Sequence, residues 1–306
     1  MSETDTAERD SGALVLAIFG PTASGKSAVA EAVADRVPAE LISADSAQVY
    51  RGLPILTNQS EHPARLVGFV GLDETFSVAE YQPLAHAAVD EVLAAGRTPI
   101  VVGGTGLYLR AALADMELPP PPAPGSRERF EALYDELGAE GAHELLAERD
   151  AAAATVVHAN DRKRVVRALE LADAGSSLLP VANRLWGAET RHPTLVVGLD
   201  VPPEVLAERI ERRTREMFER GVEDEVRAAL SGPVSQTALT IHGLGDVAGL
   251  PREQAVEAVI ARTRRYAAYQ RKWMRRIPEL VLVDANRAAD EVAEDVVTEL
   301  GSVARA

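Results

Sequence analysis

The sequence predicts an α/β fold with a mainly parallel sheet and an inserted helical domain, on three observations. Short continuous apolar runs bounded by turn residues recur along the chain, as strands buried on both faces require. Stretches with helical spacing separate most of them, the alternation that builds βαβ units. One segment breaks the rhythm: Pro119 to Pro124 holds five prolines in six positions, and no strand-like run follows before Leu195.

The elements follow in order. Residues 1–12 form an acidic polar tail, expected to be disordered. Leu14 to Phe19 reads as a buried strand ending at Gly20, and Lys26 to Val37 as a helix, with Val29, Ala30, Val33 and Val37 on one side. Glu40 to Ala44 is the next strand and ends at Asp45, completing a βαβ unit whose crossover is right-handed. Further strands are expected at Leu66 to Val70, Pro99 to Val102, Leu195 to Leu199 and Leu280 to Val283. The Ala, Glu and Leu-rich stretch from Ser126 reads as helices over Ser126 to Leu137, Ala142 to Arg149 and Asp161 to Ala172. Residues 119–189 are thus an insertion into a core of 13–118 and 190–306. Late in the chain, Pro202 to Arg220 carries prolines in its first turn and stops at Gly221. Val256 to Ile277 shows a semi-apolar face through Val259, Ile260, Thr263, Tyr266, Ala267, Gln270, Trp273, Met274 and Ile277.

Composition bounds the function. The 306 residues are 46% hydrophobic and 26% charged, enough for about two globular units. No cysteine is present, which excludes disulfides, thiolate zinc sites and a cysteine nucleophile. Neither a membrane-length apolar run nor a signal peptide is visible, so a cytoplasmic protein with no membrane association, working as a monomer, is the expectation. A net charge of −15 argues against non-specific coating of nucleic acid.

The sharpest signal is Gly20, Pro21, Thr22, Ala23, Ser24, Gly25, Lys26 and Ser27, which matches G-x-x-x-x-G-K-[ST] directly after a strand and at the start of a helix. Backbone N–H groups there close on phosphate oxygens, Lys26 adds a point charge, and the Ser27 hydroxyl suits Mg²⁺. The motif predicts a P-loop core like that of the nucleoside triphosphate hydrolases. It leaves open whether the phosphates belong to a triphosphate such as ATP or to another diphosphate. Asp45 closes the second strand on the same rim, where it suits a Mg²⁺-water partner, a general base or a helix cap. Gly103, Gly104, Thr105 and Gly106 end another strand there and read first as a plain strand-to-helix turn.

Three basic clusters follow. Arg162 to Arg167 is flanked by Asp161 and Glu170, and Arg209 to Arg220 is laced with acids, the pattern of solvated i,i+4 pairs. Arg262 to Arg276 differs: it has seven basic residues, no acid, and Tyr266, Tyr269 and Trp273 interleaved. That combination suits phosphate contacts and base stacking on unpaired RNA, against the plainer alternative of a basic face paired with the protein's acids. No His, Asp and Glu cluster has metal-ligand spacing.

Taken together, seven stretches resemble the bacterial tRNA dimethylallyltransferases, also called tRNA isopentenyltransferases. They are GPTASGKS at 20–27, DSAQVYRG at 45–52, FSVAEY at 76–81, VVGGTGLYLRA at 101–111, KRVVRALE at 163–170, Arg213 to Met217 followed by GVEDEV at 221–226, and RRYAAYQRKWMRR at 264–276. They run in order across nearly the whole chain. The resemblance implies that the loop binds the diphosphate of dimethylallyl diphosphate with Mg²⁺, and that the acceptor is the exocyclic amine (N6) of the adenosine 3′ of the anticodon, presented by the tRNA anticodon stem-loop. Asp45 matches the family's general base, and Thr105 and Arg213 match residues that hold the diphosphate or the reacting region. Asp45, Ser46, Ala47, Gln48, Thr105, Arg127, Lys163, Arg164, Val165, Val166 and Arg167 match tRNA-contacting positions. To these the basic stretch adds Arg264, Arg271 and Arg275.

The chemistry agrees with those roles. Ionisation of an allylic diphosphate builds charge on the leaving group, which N–H groups, Lys26, Arg213 and Mg²⁺ would stabilise, while a carboxylate at Asp45 would accept the amine proton. The base must leave the anticodon stack to react. LPILTNQ at 53–59, LVGFVGL at 66–72 and Gly243 to Asp246 depart from the family pattern. The rival readings are a small-molecule kinase with Arg162 to Arg167 as a lid over ATP, a prenyltransferase acting on free adenine nucleotide, and a nucleotide switch.

Overall fold

The computed structural model describes residues 14–119, 123–178, 187 and 189–305; the acidic tail expected over 1–12 and proline-tract residues 120–122 lie outside them. Strands β1 (Val15–Phe19), β2 (Ala39–Ser43), β3 (Ala64–Arg65), β4 (Thr98–Gly103), β5 (Thr194–Asp200) and β6 (Val281–Asp284) form one sheet in the order β3-β2-β4-β1-β5-β6. Every pairing is parallel. All five residues of β1 are buried, which explains its uninterrupted apolar sequence. Register then sets the site: Phe19 lies opposite Gly103 and Gly198, and Ser43 opposite Val102. The carboxyl ends of β1, β2 and β4 therefore stop level with one another, bringing Gly20, Asp45 and Thr105 to one rim.

One expected strand is corrected. Leu66 to Val70 is not a strand; the pairing is confined to Ala64–Arg65, with an isolated bridge from Tyr50 to Val70. Leu66 and Gly68 both take positive φ, 62° and 61°, and a chain that turns left-handed at alternate residues cannot stay pleated. Val70 instead packs in a cluster with Tyr50, Leu53, Phe218 and Ile260.

The helices are α1 (Lys26–Ala34), α2 (Val78–Ala94), α3 (Gly106–Leu113), α4 (Ser126–Arg149), α5 (Ala151–Ala154), α6 (Arg162–Asp173), α7 (Pro203–Glu219), α8 (Val222–Ala229), α9 (Leu244–Gly249), α10 (Arg252–Met274) and α11 (Ala289–Val303). A core of Leu16, Ile18, Val33, Ile100, Val197 and Leu199 extends to Leu206 of α7 and to Val292 and Val296 of α11. Two compact units result: Met1–Asp115 with Ala188–Ala306, and Met116–Gly187. The second unit has its own core, with Phe130, Leu146, Val165, Val166 and Leu169 buried together. Its first two expected helices are both present within Ser126–Arg149 (α4), parted at Gly138, whose φ of 71° and ψ of 177° are not helical. Asp161 caps α6 by accepting from the Arg164 N–H.

Candidate active site

The phosphate loop runs from β1 into α1. Gly25, at φ 94°, is the residue before the helix, a left-handed position that favours glycine. The Ser24 N–H donates to Pro21 O at 3.2 Å, and the Val29 N–H to Gly25 O at 3.0 Å, closing the loop on itself. Ser24 Oγ is buried and has no hydrogen-bond partner among the described residues, so the loop keeps an enclosed hydroxyl for a further oxygen. The Lys26 ammonium donates to Pro21 O at 2.8 Å. The Lys26 residue retains some surface, but its ammonium is enclosed, and desolvation brings its pKa down to about 8. Asp45 opposes that shift and Arg213 adds to it.

Asp45 stands past the end of β2. Its Oδ1 accepts from the Ala47 N–H at 2.9 Å, which fixes the carboxylate and leaves Oδ2 without a hydrogen-bond partner among the described residues. The strand end beneath it is fastened by Tyr81, fully buried, whose hydroxyl donates to Ser43 O at 2.9 Å. Tyr81 is itself placed by a capping box at the start of α2: Ser77 Oγ accepts from the Glu80 N–H, and the Glu80 carboxylate accepts from the Ser77 N–H. Gln48 is tied to Ser43 Oγ and to the carbonyls of Thr57 and Asn58.

Arg213 of α7 reaches the same place, donating to Thr22 Oγ1 at 2.8 Å. Desolvation lowers its pKa and Asp45 raises it. Among the described residues neither Lys26 nor Arg213 has an ion-pair partner. Arg213 lines three cavities, two of which adjoin the loop and Asp45. One, of about 340 Å³, is bounded by Thr22, Asp45, Tyr108, Arg213, His242 and Tyr266. The other, of about 600 Å³, is bounded by the phosphate loop from Ala23 to Ala28 with Arg209 and Arg212. Thr105 precedes α3 without capping it; its hydroxyl lies 3.2 Å from that of Tyr266. Burial, followed by the charge of Asp45, pushes the Tyr266 phenol up to about 12. Burial also holds the His242 imidazole down near 4, with Arg262 acting the same way.

The arrangement sets a glycine-rich loop and two desolvated cations beside Asp45, next to a cavity walled by Tyr108 and Tyr266. Residues 48–277 match the family model described as IPP transferase. The chain belongs to the IPP transferase family. It is 37% identical over 295 residues to the tRNA dimethylallyltransferase of Corynebacterium efficiens, covering 92% of this chain and 98% of that one. With the tRNA dimethylallyltransferase of Streptomyces griseus it shares 38% identity over 280 residues, 87% and 89% of the two chains. The crystal structure of the tRNA isopentenylpyrophosphate transferase from Bacillus halodurans superposes with a TM-score of 0.70 at 29% identity, covering 96% of this chain and 97% of that one.

For this IPP transferase family member, several residues expected to meet RNA are placed otherwise. Val165 and Val166 are buried in the core of the second unit, so the expectation of RNA contact by these side chains is corrected: two apolar residues of α6 face inward while Lys163 and Arg164 face out. Arg127 and Arg167 both bond the fully buried carboxylate of Glu170, at 2.9 and 3.0 Å. Arg271 is turned to Val201 O and Asp200, and Arg264 pairs with Glu211 at 3.2 Å. Arg275 is exposed. Tyr266 and Trp273 are not an outward stacking platform, because they sit on the inward face of α10; of the three aromatics in that stretch Tyr269 is the exposed one. The sequence reading gave no role to Gln270, His242 or Glu225. The Glu225 carboxylate accepts from the N–H groups of Ile55 and Leu56 at 2.7 and 2.8 Å, and so fixes the loop that carries them.

Proposed function

We propose that the protein transfers a dimethylallyl group from dimethylallyl diphosphate to the exocyclic amine of an adenosine beside the anticodon of tRNA, in the cytoplasm, releasing diphosphate. Desolvated Lys26 and Arg213 facing Asp45 across the end of the phosphate loop carry this reading, in a chain of the IPP transferase family. The cations and the loop N–H groups take up the charge that grows on the diphosphate as the allylic C–O bond breaks and its electron pair stays with the leaving group. Attack by the amine forms the C–N bond, and its proton passes to Asp45 Oδ2. The neutral phenols of Tyr108 and Tyr266 wall the cavity on the acceptor side.

No group of three His, Cys, Asp or Glu side chains among the described residues could hold a metal ion. A Mg²⁺ ion bound through the substrate's phosphates would take the Ser27 hydroxyl as its protein oxygen and would add charge stabilisation. Lys163, Arg164 and Arg275 are the exposed cations to which we assign RNA phosphates.

The test is direct. Protein incubated with Mg²⁺, dimethylallyl diphosphate and bulk tRNA should yield an isopentenylated adenosine in the nuclease digest, read by mass spectrometry. Unmodified tRNA, with ATP hydrolysed or its phosphate transferred in a parallel reaction, would sink the proposal.

A further inference from the structure

One side chain joins the phosphate loop to the helix that carries the densest basic surface. Gln270 is 4% exposed, one turn before the end of α10. Its Oε1 accepts from the Thr22 N–H at 2.8 Å, and its Nε2 donates to Gly104 O at 2.8 Å. A planar amide bonded at both ends fixes the distance between the loop after β1 and the turn after β4. The fit is close: a Cβ at Gly104 would lie 2.3 Å from Gln270 Nε2. Thr22 is thus held twice, by α10 at its backbone N–H and by Arg213 of α7 at its side chain.

The contacts on either side of Gln270 follow the helical period. Thr263 meets His242 at 3.1 Å, Tyr266 meets Thr105 at 3.2 Å, and Trp273 seats against Gly106, where a Cβ would come 2.0 Å from its ring. Three or four residues apart, these side chains make one inward ridge. Arg265, Tyr269 and Lys272 are exposed on the same helix, with Arg275 and Arg276 exposed just past its end. A continuous helix gripped at four points does not shift on one face without shifting on the other.

We propose that Gln270 is a positioning residue for the phosphate loop, and that through it α10 links occupancy of its outer face by RNA to affinity for the diphosphate group. The second half rests on the reading of tRNA as acceptor; the first does not. The amide touches neither reacting atom. It holds the Thr22 peptide so that the N–H groups and Arg213 converge on one phosphate position. Because such coupling is reciprocal, RNA tightens diphosphate by the same factor that diphosphate tightens RNA.

Calorimetric titration of inorganic diphosphate into the full-length protein, with and without tRNA, tests both halves. Wild type should bind diphosphate several-fold more tightly with tRNA present. Gln270→Leu should weaken diphosphate about tenfold or more and abolish the effect of tRNA, while the affinity for tRNA alone is retained. Gly104→Ala, which displaces the amide without removing it, should reproduce that pattern and guards against a Gln270→Leu protein that does not fold. In steady state both variants should raise KM for the donor more than they lower kcat. Diphosphate affinity equal to wild type in both folded variants would overturn the positioning role. Weakened diphosphate with the tRNA effect intact would overturn the coupling. If wild type binds no tRNA, the coupling and the acceptor assignment fall together, and the diphosphate arm still decides the first half.

Discussion

The two units treat their buried charges in opposite ways. In the helical unit, Glu170 is a fully buried carboxylate answered by two arginines, Arg127 and Arg167, so its charge is neutralised within the fold. In the α/β unit, Lys26 and Arg213 are desolvated and answered only by a carbonyl and a hydroxyl. A satisfied buried pair holds a structure together; two enclosed cations with no acid in contact are a standing demand for an anion. Basic residues in the sequence are therefore not equivalent, and the partner inside the protein decides which are available to a substrate.

The largest effect should come from the acid that stands beside these cations without pairing to them. Asp45→Asn removes the proton acceptor while keeping its shape and its bond to Ala47, so turnover should fall roughly 10²- to 10⁴-fold with diphosphate affinity little changed. Single-turnover rates with saturating donor measure it; lost diphosphate binding instead would assign Asp45 to the metal.

Lys26 sharpens the contrast through pH. Its pKa is about 8 in the folded protein, against an ordinary lysine value of 10.5, so between those limits the unfolded chain binds more protons and stability rises with pH. The gain from this group is at most about 3 kcal/mol, complete above the unfolded value and absent below about 8. Diphosphate affinity should run the other way, declining above pH 8 by up to about tenfold per unit as the ammonium is lost. Denaturant melts of wild type and Lys26→Met over this range check the sign; parallel curves would refute it.

Breaking the satisfied pair should cost stability but not chemistry. Glu170→Ala leaves Arg127 and Arg167 without their carboxylate, and we expect the protein to lose about 1–3 kcal/mol by denaturant melting. Diphosphate affinity of the folded protein should be unchanged.

The smallest effect is on RNA. Arg275→Ala should lower the slope of log affinity against log salt by about one, as for a lost phosphate contact. Arg271→Ala should leave the slope alone, because that guanidinium is bonded to Val201 O and faces Asp200.

Much of this was legible in the sequence. Continuous apolar runs located β1, β2, β4, β5 and β6, since strands buried on both faces leave little room for polar residues. The run at Leu66 misled because apolar content does not report backbone conformation, and two left-handed residues there cannot pleat. The phosphate loop and Asp45 were readable because the loop has its own sequence pattern and Asp45 simply ends a strand. Gln270 was visible on a semi-apolar helical face, but nothing local says that its amide reaches Thr22, 248 residues away. In the same helix, composition suggested stacking aromatics while the 3.6-residue period turned Tyr266 and Trp273 inward; period outweighed composition. Val165 and Val166 lie between two arginines, and only the packing of α6 on α4 shows that they belong to a core.

On this reading the enclosed cations of the α/β unit, and not the paired arginines of the helical unit, form the diphosphate site. Titration calorimetry of inorganic diphosphate into wild type, Lys26→Met and Arg127→Gln tests it in one experiment. Lys26→Met should lose measurable binding while Arg127→Gln binds as wild type does. Equal binding by wild type and Lys26→Met, or a loss confined to Arg127→Gln, would contradict the account.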